Sequence, residues 1–273
     1  MRRRLRDLVV QLGNHVPASA ARAFGATSRA SILARPLVNR VLPDRLIVIT
    51  VRSGGASGTK LQIQPQREKY YWAGQHEVEV QRAIVELLRP GDTFWDVGAH
   101  IGFFSLIASR IVLPSGHVHA FEPYGPSRAR LQTNLDLNNV GNVSVHSEAI
   151  AAKPGLAQFY SARETPMWTL VREMGEGSSI EVSCTTIDEQ ADVLGKPTLI
   201  KVDVEGAEVD VLRGASRLFA SECPPSLIVE FTNDDLRLEA ALLCPSWGFA
   251  QLAKRHWILR PPHNGSGGSL GDT

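Results

Sequence analysis

The strongest constraint on the fold of this chain is a regular alternation between short apolar runs and amphipathic segments along residues 93–243. Apolar residues at helical spacing mark the longer segments, which lie at 102–112, 126–138, 207–219 and 234–243. The shorter apolar runs lie at 93–97, 117–121, 143–146, 198–202 and 227–229. Strands that alternate with helices of about a dozen residues predict βαβ units and a mostly parallel sheet. Ligands of such sheets bind beyond the carboxyl ends of the strands, so the residues that end each strand are the candidates for a site.

The chain of 273 residues divides around this alternating region, which we predict to belong to a main domain at residues 76–260. Residues 1–75 are predicted to form an N-terminal extension with a basic arm and, at 46–64, a small β-hairpin. The glycine- and serine-rich residues 261–273 are predicted to form a disordered tail.

Three other segments of the main domain complete the predicted fold. Residues 77–89 place four apolar residues on one helical face and are followed by a Pro-Gly pair, which predicts a helix. Residues 151–180 lack a clear period and are predicted to be an insertion or a flexible loop. Residues 249–259 are predicted to form a final hairpin.

Charge and cysteine content restrict the partners and the compartment. Lys and Arg outnumber Asp and Glu in residues 1–90, and the reverse holds in residues 91–273. The basic arm begins with a cluster of arginines, namely Arg2, Arg3, Arg4 and Arg6. Its charge predicts at most a weak contact with an anionic membrane surface, since no segment approaches the roughly 18 apolar residues of a membrane span. The three cysteines are far apart and show no zinc spacing, which predicts a cytoplasmic protein without disulfides.

A glycine-containing turn follows the first strand of the main domain, with the sequence Asp96-Val-Gly98-Ala-His100-Ile-Gly102. Gly98 permits a tight turn, and Gly102 lets the next helix begin close to the sheet, where free N–H groups can hold an anion. A dinucleotide site would need a second glycine where His100 stands, because the backbone must approach a diphosphate. S-adenosylmethionine (SAM) carries no phosphate, and Asp96 is placed to meet its ammonium group directly or through water. The turn therefore predicts a SAM site.

Acidic residues end the strands that follow. Glu122 ends the second strand, about 20 residues past the glycine turn, where a carboxylate can accept both hydroxyls of a ribose. Ser147-Glu148-Ala149 follows the third strand and is predicted to contact the adenine amino group. Asp203 and Glu230 end the fourth and fifth strands. Like charges held together raise one another's pKa, so this convergence favours a functional role over a scaffold role. A divalent ion at Asp203 and Glu230 stays an open alternative, and no metal is assigned.

Taken together, four segments resemble one family. Residues 94–106, Ala120-Phe-Glu-Pro123, the block Lys-Val-Asp-Val-Glu-Gly-Ala-Glu at 201–208 and Ile228-Val-Glu230 are similar to the FkbM family of SAM-dependent methyltransferases. The resemblance covers roughly residues 75–235, and the block at 201–208 is its most specific part. It implies an α/β, Rossmann-like class I methyltransferase fold with a seven-stranded sheet, SAM over the first two strands, and transfer of a methyl group to an oxygen. The family commonly has Asn in place of His100, and an imidazole can still donate a hydrogen bond.

These observations predict a SAM-dependent methyltransferase that acts on a hydroxyl of a small metabolite or a glycan. Asp203 is the predicted catalytic base. Lys201, two residues earlier in the same strand, faces the same side and is predicted either to hold Asp203 ionised or to steady the oxygen of the acceptor. Glu230 is the alternative base. A nucleic-acid or protein methyltransferase is disfavoured, because basic residues are not interleaved with aromatic ones and no RNA-binding signature is present, so no nucleic-acid partner is expected. A non-catalytic SAM-binding module stays as an alternative.

Overall fold

The computed structural model describes residues 42–161, 168–171 and 178–262, and the arginine-rich arm and residues 263–273 lie outside these ranges. The helices are α1 Pro65–Ala73, α2 Val78–Leu87, α3 Phe103–Val112, α4 Gly125–Leu137, α5 Ile187–Leu194, α6 Glu208–Arg213, α7 Ser216–Phe219 and α8 Asp234–Leu243. The strands are β1 Ile47–Thr50, β2 Lys60–Ile63, β3 Thr93–Val97, β4 His117–Phe121, β5 Val143–His146, β6 Ala149–Ile150, β7 Gly155–Ser161, β8 Trp168–Thr169, β9 Ser179–Thr185, β10 Leu199–Val202, β11 Ser226–Glu230, β12 Gly248–Gln251 and β13 His256–Arg260. Among the described residues, no helix is long and apolar enough to cross a bilayer.

The main sheet has seven strands in the order β12-β13-β11-β10-β3-β4-β5. The strands from β11 to β5 run parallel, whereas β13 runs antiparallel to both β11 and β12. The predicted α/β fold with a mostly parallel seven-stranded sheet is therefore confirmed. Val202 is aligned with Val97 on one side and with Val229 on the other, so β3, β10 and β11 end at the same edge. The residues that end or follow these strands are consequently brought together.

Helices cover both faces of this sheet, because its central strands are apolar on both sides. Phe94 of β3 packs in the same buried cluster as Leu106 of α3. Its neighbour Trp95 points the other way and packs in a second cluster with Leu212 of α6. Each fully buried side chain of this size stabilises the fold by about 1.5–3 kcal/mol. The two clusters fix the sheet between its helices and therefore fix the edge where the strands end.

The N-terminal hairpin and α1 pack on this core. The predicted hairpin is present, with β1 paired antiparallel to β2. Ile49, Leu61 and Tyr71 are buried in the same cluster as the α3 side of the sheet. Helix α1 was not predicted from the sequence; it begins with Pro65 and ends at Gly74, whose φ of 70° is left-handed. These contacts place residues 65–77 beside the edge where the central strands end, while the domain boundary at residue 75 stays a prediction.

A second sheet, in the order β6-β9-β7-β8, occupies much of the segment predicted to be an insertion or a flexible loop. The loop prediction for residues 151–180 is wrong where β7 lies, because β7 pairs antiparallel with β9 along its length. Phe159 and Val182 are buried in a small cluster between these strands, whereas Leu156 is 70% exposed. Because the apolar residues of β7 do not alternate cleanly between its faces, the strand period is hidden in the sequence.

Candidate active site

A cavity of about 420 Å³ opens at the edge where β3, β4, β10 and β11 end. Its volume lies in the range of roughly 300–1,000 Å³ that is typical of small-molecule sites. The predicted cofactor residues that line it are Gly98, His100, Glu122, Glu148 and Ala149. The predicted catalytic residues, which all line it, are Lys201, Asp203 and Glu230. The structure thus gathers most of the predicted residues around one space, while Asp96, Gly102 and Ser147 are not among its lining residues.

The glycine turn passes very close to the end of β10. Gly98 has a φ of 84°, and a Cβ at this position would lie 1.9 Å from the carbonyl oxygen of Asp203. Gly102 also has a left-handed φ and precedes α3, where a Cβ would lie 2.9 Å from Cγ of Leu131. The first glycine therefore lets the turn touch the backbone of the neighbouring strand end, and the second lets α3 approach α4. Gly102 serves packing here rather than the cavity wall.

Glu122 is anchored by the backbone of the same turn. Its Oε2 accepts a hydrogen bond from the N–H of His100 at 2.8 Å, and its Oε1 accepts one from the N–H of Tyr124 at 2.8 Å. Only 6% of Glu122 is exposed. Burial raises the pKa of Glu122 to about 7, although these two hydrogen bonds oppose the rise. The carboxyl group is therefore fixed in place and close to its titration point at neutral pH.

Asp96 lies behind the cavity wall rather than on it. The residue is fully buried, and its Oδ2 accepts a hydrogen bond from Oγ of Ser105 at 2.6 Å. Its Oδ1 is buried without a hydrogen-bond partner. Burial raises the pKa of Asp96, while the charge of Lys201 and the bond from Ser105 oppose the rise. In this structure Asp96 therefore cannot contact an ammonium group in the cavity directly. A contact through water stays a prediction.

The segment after β5 and an aromatic pair form one side of the cavity. Glu148 and Ala149 line it, whereas Ser147 is exposed and is not among its lining residues. The ring of Tyr124 stacks on that of Trp168 at a centroid distance of 4.4 Å, and both rings line the cavity. Trp168 comes from the second sheet and was not predicted as a site residue. A stacked aromatic pair beside a carboxylate offers a surface for a flat, nitrogen-rich ring.

Lys201 and Asp203 form a buried ion pair at the floor of the cavity. Nζ of Lys201 lies 2.9 Å from Oδ2 of Asp203 and 4.8 Å from the ring centroid of Phe104. The side chain of Lys201 is 2% exposed, and that of Asp203 is 21% exposed. Burial alone would lower the pKa of Lys201, but the carboxylates of Asp203 and Asp96 outweigh it and hold that pKa well above its usual range. Lys201 is therefore a permanent cation beside Asp203, which remains accessible from the cavity.

Glu230 lies between two basic side chains. Its Oε1 is 3.1 Å from Nη2 of Arg255, and its Oε2 is 3.3 Å from Nε2 of His256. The same Nε2 lies 3.1 Å from Oε2 of Glu77. Burial lowers the pKa of His256, but its contacts with Glu230 and Glu77 outweigh burial and raise that pKa to about 9. The alternative base predicted from the sequence is thus part of a charged cluster that includes three residues the sequence did not indicate, Glu77, Arg255 and His256.

Aromatic residues that the sequence analysis missed close the cavity on the side of α1 and α3. They are Tyr70, Tyr71, His76, Phe103 and Phe104. Tyr71 lies 4.9 Å from Phe103 and 4.6 Å from His76 between ring centroids. The run Tyr70-Tyr71-Trp72 just before the main domain was the available signal, because so many aromatic residues in one short segment are unusual for a solvated extension.

The sequence profile of the methyltransferase FkbM domain matches residues 96–249, which is more than half of the chain. The chain belongs to the FkbM methyltransferase family. The match contains the strand ends from Asp96 to Glu230, and it leaves His76, Glu77 and His256 outside. One wall of the cavity of this FkbM protein is therefore built by residues beyond the matched domain.

Relatives of this FkbM protein share about a third of its residues over the aligned part. Methyltransferase 1 of Beauveria bassiana is 30% identical over 148 residues, which cover 46% of this chain and 59% of that protein. Hexuronic acid methyltransferase AglP of Haloferax volcanii is 29% identical over 147 residues, with coverage of 53% and 59%. The 31-O-demethyl-FK506 methyltransferase FkbM of Streptomyces tacrolimicus is 32% identical over 159 residues, with coverage of 46% and 60%. The matches thus span about three fifths of the length of these curated relatives.

Proposed function

We propose that this protein transfers a methyl group from SAM to a hydroxyl oxygen of a small metabolite or a carbohydrate. The observation that carries the proposal is the ion pair of Lys201 and Asp203 at the floor of the cavity, with Nζ and Oδ2 separated by 2.9 Å. A partly accessible carboxylate is a group that can remove a hydroxyl proton. Its position at the end of β10 is also where ligands of parallel sheets bind.

The residues around the cavity fit the chemical parts of SAM. Glu122, a buried carboxyl group in the cavity wall, is suited to accept hydrogen bonds from ribose hydroxyls. Glu148 is suited to accept from the adenine amino group, beside the rings of Tyr124 and Trp168. The side chain of His100 lines the cavity where a dinucleotide would need bare backbone for its diphosphate. The residue types thus favour a nucleoside that carries no phosphate.

The reaction requires the protein to position the acceptor and to remove one proton from it. When bound, SAM supplies an electrophilic methyl group. Asp203 accepts the proton of the acceptor hydroxyl, and Lys201 holds the carboxylate of Asp203 in place through the ion pair. Phe104 and Tyr71 exclude water beside this pair, which strengthens its electrostatic interaction.

The acceptor class rests on the relatives and on the cavity together. One relative is named as a hexuronic acid methyltransferase, and another as a 31-O-demethyl-FK506 methyltransferase, a name that specifies an oxygen. The cavity offers several carboxylates and aromatic rings, which suit the hydroxyls and the apolar faces of a sugar or a hydroxylated metabolite. A hydroxyl acceptor is therefore the proposal that both observations support.

Transfer of a labelled methyl group tests the proposal. We would incubate the protein with methyl-labelled SAM and a panel of uronic acids and hydroxylated metabolites, each paired with its deoxy analogue. The expected result is label on an acceptor with a free hydroxyl and none on its deoxy analogue. Binding of S-adenosylhomocysteine without transfer to any acceptor would support the non-catalytic alternative. Label on nucleic acid or protein instead would contradict the proposed acceptor class.

Removing the carboxylate of Glu122 should weaken cofactor binding. In Glu122→Ala, the affinity for S-adenosylhomocysteine is expected to fall by about 1–3 kcal/mol, because the ribose hydroxyls lose their buried acceptor. Isothermal titration calorimetry measures the change, with the exposed Glu86→Ala as a matched control that should bind normally. Unchanged affinity in Glu122→Ala would sink the ribose assignment.

The same carboxyl group should make cofactor affinity depend on pH. The pKa of Glu122 is about 7 in the protein without ligand, so lowering the pH from 8 to 6 protonates it. A protonated carboxyl cannot accept from both hydroxyls, so the affinity for S-adenosylhomocysteine should fall about tenfold over this interval. In Glu122→Gln, which does not titrate, the affinity should be lower and nearly flat between these pH values. A flat profile in the wild-type protein would contradict the role given to this carboxyl group.

A further inference from the structure

Glu77 and Glu230, which line the cavity, meet His256 at one point although the three residues come from three different elements. Glu230 ends β11, and His256 begins β13 as its direct partner in the antiparallel register. Glu77 precedes α2. Nε2 of His256 lies 3.1 Å from Oε2 of Glu77 and 3.3 Å from Oε2 of Glu230. Three side chains thus converge through one nitrogen and two carboxylate oxygens.

Two of these converging atoms have no hydrogen-bond partner. Nε2 of His256 and Oε2 of Glu77 are both buried, and the ion pair between them at 3.1 Å lacks hydrogen-bond geometry. Only 8% of His256 is exposed, so water does not reach most of its ring. Buried polar atoms are nearly always satisfied, so a pair of unsatisfied atoms that face each other points to a missing ligand. A cation that accepts electron pairs from a nitrogen and from oxygens would satisfy both atoms.

We propose that Glu77, Glu230 and His256 bind a divalent cation of intermediate softness, such as Mn²⁺ or Zn²⁺. Imidazole and carboxylate are common ligands of such ions, with bonds of about 2.0–2.2 Å. Neighbouring ligands around an ion with bonds of this length lie about 2.8–3.6 Å apart, from the same bond lengths in octahedral or tetrahedral geometry. The two contacts of Nε2 match this spacing, and all three ligand atoms lie within 4.8 Å of one another.

The local charge favours a dication. The carboxylates Glu77, Asp203, Glu205 and Glu230 all line this part of the cavity. The lysine and arginine charges that face them in the described residues belong to Lys201 and Arg255, which pair with Asp203 and Glu230. The carboxylates thus outnumber the permanent cations in this part of the cavity, which favours binding of a cation. Arg255 contacts the other oxygen of Glu230, so it supports that carboxylate without blocking Oε2.

An ion at this point would face the acceptor side of the cavity. Glu77 and Glu230 belong to the same cavity wall as Asp203, so positions around the ion that the protein does not fill would be open to a ligand. A bound divalent ion lowers the pKa of an oxygen that binds it, which would help the carboxylate of Asp203 to take the hydroxyl proton. This role rests on the proposed function, whereas binding of the ion does not.

Binding of Mn²⁺ to the full chain tests the site. The protein is stripped with a chelator, and Mn²⁺ binding is then measured by calorimetry and by the loss of the free-ion signal in electron paramagnetic resonance. The expected result is one Mn²⁺ per chain in the wild type. Glu77→Gln and His256→Asn should each weaken binding at least about tenfold, since even groups that only support a ligand contribute that much. The matched control is Glu205→Gln, which removes a charge from the same wall but no proposed ligand and should lose far less affinity.

Different outcomes separate this inference from the proposed function. Thermal melting and S-adenosylhomocysteine binding show whether each variant is folded. Glu230→Asp is a milder variant, because it keeps the negative charge but moves the carboxylate oxygen away from the proposed ion. Absence of Mn²⁺ binding in the wild type, even at millimolar concentration, would overturn the site and favour a protonated His256 held between the two carboxylates. Equal Mn²⁺ affinity in all the variants would overturn it as well. Stoichiometric Mn²⁺ binding without methyl transfer to any hydroxyl would support the site and contradict the proposed function.

Discussion

Replacing Asp203 by asparagine should lower turnover by about 100-fold or more while the affinity for SAM changes little. Asparagine keeps the shape of the side chain, but its amide cannot take a proton from the acceptor hydroxyl. The buried Lys201 would also lose the carboxylate that lies 2.9 Å from its Nζ. The measurement is kcat at saturating SAM together with calorimetric binding of S-adenosylhomocysteine.

A matched change outside the cavity serves as the control for this experiment. Asp210→Asn makes the same substitution on α6, at a side chain that is 50% exposed and pairs with Arg213 on the surface. Exposed ion pairs contribute little, so turnover of this variant should be close to that of the wild type. If Asp203→Asn loses its SAM affinity but retains turnover at saturating SAM, Asp203 is a cofactor ligand. The base would then have to be sought at Glu230.

The part of the site that the sequence predicted consists of strand ends. Recognising β3, β4, β10 and β11 from the pattern of apolar residues is enough to predict which residues meet, because parallel strands place their carboxyl ends at one edge of the sheet. Gly98, Glu122, Asp203 and Glu230 come together for this reason. Their gathering needs no knowledge of side-chain packing, so it is accessible from the sequence alone.

The remaining residues depend on register and depth, which the sequence does not reveal. His256 lies within the hairpin predicted at residues 249–259, but its contact with Glu230 requires one particular register of β13 on β11. A slip of one residue would turn its ring to the other face of the sheet. Glu77 is the first residue of the helix predicted at 77–89, and the direction of its side chain depends on how α1 packs on the core. Asp96 shows that a correct strand position does not give the depth of a side chain. It lies at the end of its strand as predicted, but it is buried behind the cavity wall.

Replacing Gly98 by alanine should destabilise the protein and disturb both halves of the site. A side chain at the φ of 84° costs about 1–2 kcal/mol, and the Cβ would also lie 1.9 Å from the carbonyl oxygen of Asp203. That oxygen belongs to the backbone of the strand end, so relief requires the glycine turn and β10 to move apart. Such overpacking adds about 1–3 kcal/mol, and the movement should shift Asp203 away from the cofactor turn.

Gly58→Ala isolates the contribution of this close approach. Gly58 has nearly the same φ, 82°, but a Cβ there meets nothing within 4 Å. Its substitution should therefore cost only the conformational part, about 1–2 kcal/mol, and leave S-adenosylhomocysteine binding intact. Denaturant unfolding compares the free energies of unfolding of the two variants, and calorimetry compares their ligand affinity. If Gly98→Ala is destabilised only as much as Gly58→Ala and binds the ligand normally, the turn can move away from β10 without a loss of stability. If Gly98→Ala loses more stability and more ligand affinity than Gly58→Ala, the contact between the turn and β10 fixes the position of the cofactor site relative to the base.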